Sequence, residues 1–404
     1  MPLISQIRTL LLSSPYAHAD HPEILECFPN GPKRTVGMVE ITLDNGVKGV
    51  GEGYLAVFAP EVFRSIVDLC RPYLEGTDAF DRKERVRDLC RICDYWSLQG
   101  AARHVISAFE IALVDAHSKS LDKPAWQLFT DSPDTSIRAY GSGGICDTKE
   151  HFVQEMDMLS ELGIDLFKIR SVKTDIYRTA WVLNEAKDIG MQVGVDMCQN
   201  LANPPQAVND VIQFIEKTQN LSGQVMAFVE EAIGPHDTEG FKELRRKTRV
   251  PVCGGEIITT PWDMISRMRD HVYEFVQPDA SVIGGFSALE EIFAASEESK
   301  TTAVVHAWGG PVAMMANYHG AFGLGGKLVE YPMLAFPLGN VLLADSLRIE
   351  KGHIICPTTP GIGIEITPEV EAAFPFDPEA VYSCKLLNRG APSDESWKDR
   401  KVRK

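Results

Sequence analysis

Residues 192–198, QVGVDMC, and residues 226–232, MAFVEEA, each have the form of a buried β-strand that ends in carboxylates. Both runs are short and apolar, as in strands of a parallel sheet that is covered on both faces. Asp196 lies near the end of the first run, and Glu230 and Glu231 lie near the end of the second. A helical segment separates the runs, so the stretch predicts one strand–helix–strand unit of a parallel sheet.

The same alternation extends in both directions from this unit, at intervals of roughly 20 to 35 residues. Eight strands with intervening helices predict an α/β fold, a closed (β/α)8-type TIM barrel, rather than an open sheet. No Gly-x-Gly-x-x-Gly motif follows the first strand, which disfavours a dinucleotide-binding domain. The eight predicted strands are residues 136–141, 165–170, 192–198, 226–232, 250–254, 274–279, 301–307 and 327–331.

The first part of the chain has a different pattern, with strands first and helices afterwards. Alternating residues 35–43, the turn Asp44-Asn45-Gly46 and residues 47–54 predict a β-hairpin. Two helices follow, so this part is predicted to be an α+β domain. The predicted division is an N-terminal domain over 1–135, a barrel over 136–355 and a C-terminal segment over 356–404 with frayed last residues.

The overall charge and composition exclude several classes of protein. A net charge of −16 over 404 residues excludes a nucleic-acid binder, because phosphate contacts need a basic face. The basic run 398–404 is predicted to be a solvated tail. The chain lacks both a signal-like start and the apolar run of about 18 residues that a membrane span needs, so we expect a cytoplasmic protein with no membrane partner. Nine dispersed cysteines fit reduced, buried thiols better than a disulfide frame.

Ionisable residues end seven consecutive predicted strands, from the second to the eighth. In such a barrel the carboxyl ends of the strands meet at one mouth, where catalytic groups lie. A single acid after a strand is usually a helix cap. Seven charged groups at one mouth are costly unless a metal and a substrate compensate them, so the set predicts an active site. The residues are Lys168 with Arg170, Asp196, Glu230, Glu256, Asp279, His306 and Glu330.

The types of residue suggest a role for each. Asp196, Glu230 and Glu256 come from adjacent strands and offer the hard oxygen ligands that Mg²⁺ prefers. Asp279 on one nitrogen of His306 would make the other nitrogen a general base. Lys168 lies across the mouth and could act as a base only with a depressed pKa, which a nearby metal would provide. Glu330, if protonated, could hydrogen-bond a developing oxyanion.

Taken together, these motifs resemble those of the enolase superfamily, specifically its mandelate racemase-like subgroup. The resemblance implies an N-terminal α+β capping domain over the barrel, with the C-terminal segment packing back on it. It also implies one Mg²⁺ per active site and abstraction of the proton next to a substrate carboxylate, which gives an enediolate. The matching motifs are Lys168-Ile169-Arg170, Val195-Asp196, Val229-Glu230-Glu231, Gly254-Gly255-Glu256, Gln277-Pro278-Asp279, His306, Glu330-Tyr331-Pro332, Gly51-Glu52-Gly53 and residues 123–128.

The sequence departs from the subgroup at Arg170, where members often carry a lysine base. Arginine stays charged, so it is a poor base, but it can bind a carboxylate. With His306 as the principal base, β-elimination of water from a sugar acid is favoured over racemisation or epimerisation. Cycloisomerisation of a sugar-acid lactone uses the same enolate, and the sequence does not decide between these reactions.

Substrate contacts are predicted from the cap and from the barrel mouth, and a homo-oligomer is expected. Two other classes stay open. One is a non-catalytic sugar-acid binding protein. The other is a phosphate-using barrel enzyme, which Gly309-Gly310 and residues 323–326 would suit. The predicted contacts are Arg170, Tyr16, His18, Tyr54 and Trp308.

Overall fold

The computed structural model describes residues 2–16, 33–145, 148–333, 336–380 and 395–398. His18 and most of the basic tail lie outside these ranges, so the predictions for them are not addressed. Among the described helices, none combines the length and the apolar character that crossing a membrane requires.

The N-terminal domain is a three-stranded antiparallel sheet with helices packed on it. The predicted hairpin is confirmed, and Gly46 takes the positive φ of 86° that its turn requires. The strands are β1 (Ile4–Pro15), β2 (Lys33–Leu43) and β3 (Lys48–Glu52), in that order. The helices are α1 (Leu55–Phe58), α2 (Pro60–Leu74), α3 (Arg82–Ser97) and α4 (Ala101–Ser120).

One expectation about this domain, a loop from Ser13 to Pro32, is wrong for its first residues, and residues 17–32 lie outside the described ranges. The segment from Ser13 to Pro32 is loop-like in sequence, yet β1 continues to Pro15 and Ser13 pairs with Thr35 of β2. The hydroxyls of Ser13 and Thr35 lie 2.8 Å apart and hydrogen-bond to each other inside the protein. Pairing of the two polar side chains removes the cost of burying either one alone.

The barrel consists of eight parallel strands, and all eight predicted strands are present. They follow one another around the sheet from β4 to β10, and β11 pairs with β4. A parallel bridge between Val305 and Val329 joins the last two strands and closes the ring. The strands are β4 (Ser136–Ser142), β5 (Leu166–Arg170), β6 (Gln192–Asp196), β7 (Val229–Glu230), β8 (Val252–Gly254), β9 (Phe275–Val276), β10 (Thr302–Ala303) and β11 (Leu328–Pro332).

Helices connect successive strands on the outside of the ring, as parallel strands require. The last strand is followed only by the short helix α13, so the final strand–helix unit is reduced. The helices are α5 (Lys149–Glu161), α6 (Ile176–Asp188), α7 (Val208–Ser222), α8 (Thr238–Lys247), α9 (Pro261–Arg269), α10 (Ala280–Ile283), α11 (Gly285–Ser299), α12 (Pro311–Leu324) and α13 (Pro337–Leu343).

The strands β12 (Ile349–Glu350) and β13 (His353–Ile355) come directly before the C-terminal segment, which includes the helix α14 (Pro368–Ala373). Strand β13 pairs antiparallel with the first half of β4, at the bottom of the barrel. Beyond it, Phe374 and Ala380 offer carbonyls to Ser13 and Thr35 of the N-terminal sheet. The exact bounds of the three parts stay a prediction.

The described cysteines of the N-terminal domain, Cys70, Cys90 and Cys93, are free thiols. Cys90 and Cys93 form a Cys-x-x-Cys pair on α3 that the sequence interpretation passed over. Cys93 Sγ lies 3.9 Å from Cys70 Sγ in the core, and Arg103 donates to the Cys90 sulfur at 2.9 Å. These thiols fill the contact between α2, α3 and α4, and they lie outside the barrel mouth.

The side chain of Asp115 in α4 connects three elements of the structure. Its fully buried carboxylate accepts from the Val50 amide and the Ile362 amide, each at 2.8 Å, and from Lys119 Nζ at 2.7 Å. The carboxylate therefore links β3, α4 and the C-terminal segment. This contact explains why position 361 is a glycine, because a Cβ there would lie 2.1 Å from Asp115 Oδ1.

Replacement of Asp115 by alanine is expected to lower the free energy of unfolding by about 3 kcal/mol. The change leaves two buried amides and a lysine without their acceptor. Urea or thermal unfolding measures it. Asp68→Ala removes a surface ion pair with Arg71 and serves as the control, with an expected change within about 0.5 kcal/mol. An equally small change for both variants would contradict the linking role of Asp115.

Candidate active site

Three carboxylates from adjacent strands meet at the mouth of the barrel. One oxygen each from Asp196, Glu230 and Glu256 lies within 4.8 Å of the other two. Asp196 and Glu230 end β6 and β7, and Glu256 follows β8 through Gly255, whose φ is 108°. The parallel register brings these strand ends to one level, because Asp196 pairs directly with Glu230.

Neighbouring polar groups hold each carboxylate of this trio. Asn200 donates to Glu256 Oε1 at 2.6 Å, and Gln277 donates to Glu230 Oε2 at 2.6 Å. The Cys198 amide donates to Asp196 Oδ1 at 2.8 Å. The sequence interpretation gave Gln277 and Asn200 no role. Gln277 lies within a quoted motif, so a signal for it was present, whereas nothing in the local sequence marks Asn200.

Lys168 lies between two carboxylates rather than free at the mouth. Its Nζ is 2.6 Å from Glu230 Oε1 and 2.8 Å from Glu330 Oε1, and its side chain is buried. Burial disfavours the ammonium, yet the two carboxylates outweigh it and hold the pKa of Lys168 well above its usual range. Lys168 is therefore held as a cation between the two carboxylates, and its role as a base when a metal is bound stays a prediction.

His306 and Asp279 form the predicted pair. His306 Nδ1 lies 2.8 Å from Asp279 Oδ2, which fixes the imidazole so that Nε2 is directed at the carboxylates. Nε2 lies 3.4 Å from Glu256 Oε2 and 3.9 Å from Glu330 Oε2. Burial opposes a charge on His306, but Glu330, Glu256 and the hydrogen bond to Asp279 raise its pKa to about 9. The pair has the geometry of a general base with its orienting carboxylate.

Asp279 is itself held by donors on its second oxygen. Ser281 donates to Oδ1 through its amide at 2.8 Å and its hydroxyl at 2.7 Å, and Asn317 Nδ2 donates at 2.9 Å. Asn317 also accepts from the Ala280 amide. These contacts leave Oδ2 to His306 alone among the described residues, and they prevent rotation of the carboxylate.

Glu330 differs from the expectation. Its Oε2 accepts from the Ala307 amide at 2.9 Å, while Oε1 pairs with Lys168. Burial alone would raise its pKa, but Lys168 and His306 together hold the pKa of Glu330 well below its usual range. The ion pair with Lys168 and the bond from the Ala307 amide weigh against a protonated Glu330 that donates to an oxyanion, and that role stays a prediction. Glu330 is a counter-charge shared by Lys168 and His306.

Arg170 lies at the mouth beside Asp196 and against the segment that follows His306. Its guanidinium stacks on the Trp308 ring at 4.1 Å, donates to the Gly143 carbonyl at 2.7 Å and lies 3.6 Å from Asp196 Oδ2. Burial would lower the pKa of Arg170, but Asp196 and other anionic neighbours raise it above its usual range. The side chain is therefore a fixed cation at the mouth.

The N-terminal domain reaches the same mouth. The Tyr54 ring lies edge-on to His306, with centroids 6.3 Å apart. Tyr16 is 2% exposed and packs in the apolar core, and its contact with a substrate stays a prediction. Arg34, which the sequence interpretation missed, donates to the Trp308 carbonyl at 2.6 Å.

The Gly309-Gly310 segment does not offer a phosphate site. The amides of Gly310 and Ala313 at the start of α12 donate to the carboxylate of Glu52, at 2.6 and 3.1 Å. A helix N-terminus binds anions, and here the protein's own buried carboxylate takes that position. This contact weighs against the phosphate-using class.

The donor set fits a divalent cation. Three carboxylates supply hard oxygen ligands, and Glu256 remains about one-fifth exposed towards the mouth. Burial and the neighbouring carboxylates raise the pKa of Glu230 to about 8, even though Lys168 opposes the shift. Such crowding of negative charge is relieved when a divalent cation binds.

Comparison with known proteins agrees with this geometry. A family model described as Enolase C-terminal domain-like matches residues 151–370, more than half of the chain. A second, Mandelate racemase / muconate lactonizing enzyme, N-terminal domain, matches residues 27–130. An arabinonate dehydratase of Saccharolobus solfataricus is 24% identical over 334 residues, which are 81% of this chain and 87% of that protein.

Solved structures share the fold. The 3,6-anhydro-D-galactonate cycloisomerase from Zobellia galactanivorans has a TM-score of 0.80 at 24% identity, over 92% of this chain and 99% of that one. The L-talarate dehydratase from Polaromonas sp. JS666, complexed with Mg and L-glucarate, has a TM-score of 0.76 at 21% identity, over 93% and 98%.

Alanine at Asp196, Glu230 or Glu256 is expected to abolish binding of a divalent cation. Each substitution removes one of three converging oxygen ligands. Titration with Mn²⁺ followed by electron paramagnetic resonance measures the binding without any substrate. Glu239→Ala, a surface carboxylate on α8 that pairs with Lys242, serves as the control. Native Mn²⁺ affinity in all three variants would contradict the metal centre.

Proposed function

We propose that this protein is a Mg²⁺-dependent sugar-acid dehydratase. The chain belongs to the enolase superfamily, because it has both the mandelate racemase-type N-terminal domain and the enolase-like C-terminal domain. One structural observation favours dehydration over racemisation. The His306–Asp279 pair has the geometry of a base beside Glu256, whereas Arg170, at the position where the family often carries a lysine base, stays protonated. Racemisation needs a base on each face of the reacting carbon, and this arrangement supplies one.

The similar proteins support a sugar acid as the substrate. The arabinonate dehydratase is joined by a D-galactonate dehydratase of Variovorax paradoxus, which is 25% identical over 82% of this chain. Both names describe removal of water from an aldonic acid. We therefore propose that the substrate is a polyhydroxylated carboxylic acid with a proton on the carbon next to its carboxylate.

Asp196, Glu230 and Glu256 would hold the Mg²⁺. When bound, the ion would draw electron density from the substrate carboxylate and so acidify the neighbouring C–H group. Lys168 neutralises part of the charge of Glu230 and Glu330, which keeps this buried set of carboxylates compact. Arg170 would orient the substrate through its planar fork of donors while Trp308 fixes the guanidinium plane.

His306 would take the proton from the carbon next to the carboxylate at Nε2. Asp279 holds the proton of Nδ1 and stabilises the imidazolium that forms. The C–H electron pair then forms a double bond to the next carbon as the bond from that carbon to its hydroxyl breaks. The proton on Nε2 leaves with the hydroxide as water, and the resulting enol tautomerises to a 2-keto acid.

The test is a panel of sugar acids and their lactones, each incubated with the enzyme and Mg²⁺. Formation of a 2-keto acid from an open-chain sugar acid is the expected result. Conversion of a lactone to an isomeric 2-keto acid, with no water gained or lost, would establish cycloisomerisation instead, and inversion at one carbon would establish an epimerase. Binding without any conversion would support a sugar-acid binding protein.

Two further expectations stay predictions. A homo-oligomer is expected, and light scattering coupled to size-exclusion chromatography measures the molar mass directly. A cytoplasmic location is also expected, which fractionation of the producing cells would test.

Replacement of His306 by asparagine is expected to lower turnover by ~10²–10⁴-fold, the usual effect of losing a general base. Exchange of the substrate's α-proton with D₂O should disappear together with turnover, while substrate still binds at the metal. Nuclear magnetic resonance in D₂O measures the exchange. If exchange persisted in His306→Asn and vanished in Lys168→Ala, Lys168 would be the base.

Replacement of Arg170 by lysine is expected to raise KM more than it lowers kcat. Lysine keeps the charge but loses the planar fork and the stacking on Trp308. Steady-state kinetics on the sugar acid that is turned over measures both constants. A gain of racemase activity would place Arg170 at a second base position, and unchanged kinetics would make it structural.

A further inference from the structure

Two buried residues of the N-terminal domain hold the segment that directly follows His306. Arg34 of β2 donates through Nη2 to the Trp308 carbonyl at 2.6 Å. Glu52 of β3 accepts from the amides of Gly310 and Ala313. One side chain therefore binds a carbonyl of the segment and the other binds two of its amides, so the pair grips the backbone from Trp308 to Ala313 by complementary contacts. We call Arg34 and Glu52 the clamp.

The clamp is itself tightly placed. Arg34 is 2% exposed and its guanidinium lies 5.8 Å from the ring centroids of both Tyr54 and Phe336. Glu52 is fully buried at the start of α12, where the helix dipole favours a carboxylate. Gly310 permits this approach, because a Cβ there would lie 2.6 Å from Glu52 Oε1. A hydrogen bond to a charged, buried partner is among the stronger ones in a protein.

The segment held by the clamp includes the Trp308 ring, on which the Arg170 guanidinium stacks. The Trp308 carbonyl accepts a hydrogen bond from Arg34, and the Trp308 ring centroid lies 4.1 Å from the Arg170 guanidinium. His306 is held separately, through Asp279 and through its amide, which donates to the Pro278 carbonyl at 3.0 Å. Loss of the clamp should therefore move Trp308 and Arg170 while His306 keeps its place.

We propose that Arg34 and Glu52 are positioning residues, which set the plane of Trp308 and through it the guanidinium of Arg170. The clamp thus couples the placement of the N-terminal domain to the substrate-binding cation of the barrel. The effect on substrate rests on the proposed function, in which Arg170 binds the sugar acid. The grip on the segment does not, so the two can be tested separately.

The first experiment measures the grip without a substrate. Hydrogen–deuterium exchange of peptides that cover residues 308–316 is compared in the wild type, Arg34→Met and Glu52→Gln. Exchange of the Gly310 and Ala313 amides is expected to be at least about fivefold faster in both variants. Lys48→Met, which removes a surface ion pair with Glu40 from the same sheet, is the control and should leave this exchange unchanged. Unchanged exchange in Arg34→Met and Glu52→Gln would overturn the clamp.

The second experiment is a double-mutant cycle of Arg34→Met and Trp308→Ala on the sugar acid that is turned over. Arg34→Met alone is expected to raise KM about tenfold with a smaller effect on kcat, within the coupling range of residues in one network. In the Trp308→Ala background the same change should alter KM less than about twofold. Independent, multiplying effects on KM, or a fall in kcat alone, would overturn the route through Trp308.

The two readouts separate the proposals. If no sugar acid or lactone is converted by the wild type, the proposed function fails, and hydrogen exchange still decides the clamp. Should Arg34→Met not fold, Arg34→Lys replaces it, since lysine keeps the charge but loses the planar donors. The Arg34→Lys variant is then expected to show the same faster exchange in residues 308–316, and native exchange would overturn the clamp.

Discussion

Mutual repulsion among Asp196, Glu230 and Glu256 is the constraint on which the rest of the site depends. Three carboxylates within 4.8 Å of one another in a largely buried mouth need partners at every remaining oxygen. Lys168 supplies a charge between Glu230 and Glu330, and Asn200 and Gln277 supply neutral donors. This placement needs a closed barrel, because only a ring of parallel strands brings so many strand ends to one mouth.

The two domains contribute different groups to the site. The barrel holds the charged groups on strand ends, which are rigid because each strand is paired on both sides. The N-terminal domain adds side chains that reach over the mouth, such as Tyr54 and the clamp residues Arg34 and Glu52. Asp115 then connects this domain to the C-terminal segment. A substrate at the mouth would therefore be bounded by elements from distant parts of the chain.

The sequence alone predicts the barrel and its strand-end residues well, since parallel strands repeat one pattern and their carboxyl ends meet. It does not predict Arg34 or Asn200, whose partners are set by tertiary packing. Strand β1 was not predicted; its end, Ser13-Ser14-Pro15, has the composition of a turn and becomes a strand through its pairing with β2. The raised pKa of Lys168 and the lowered pKa of Glu330 share a cause, a direct ion pair that spacing alone does not reveal.

Strand β4 has an unusual set of partners, and they affect how the chain acquires its structure during synthesis. Its first residues pair with β13, residues 138–142 pair with β11, and β5 joins only Gly141 and Ser142. Both β11 and β13 follow all the other barrel strands in the chain, so they are synthesised after them. Most backbone groups of β4 therefore remain unpaired until nearly the whole barrel has been synthesised. Closure of the ring depends on long-range contacts, which form slowly. During that interval the nascent chain exposes an apolar edge, which is where chaperone binding or aggregation would begin.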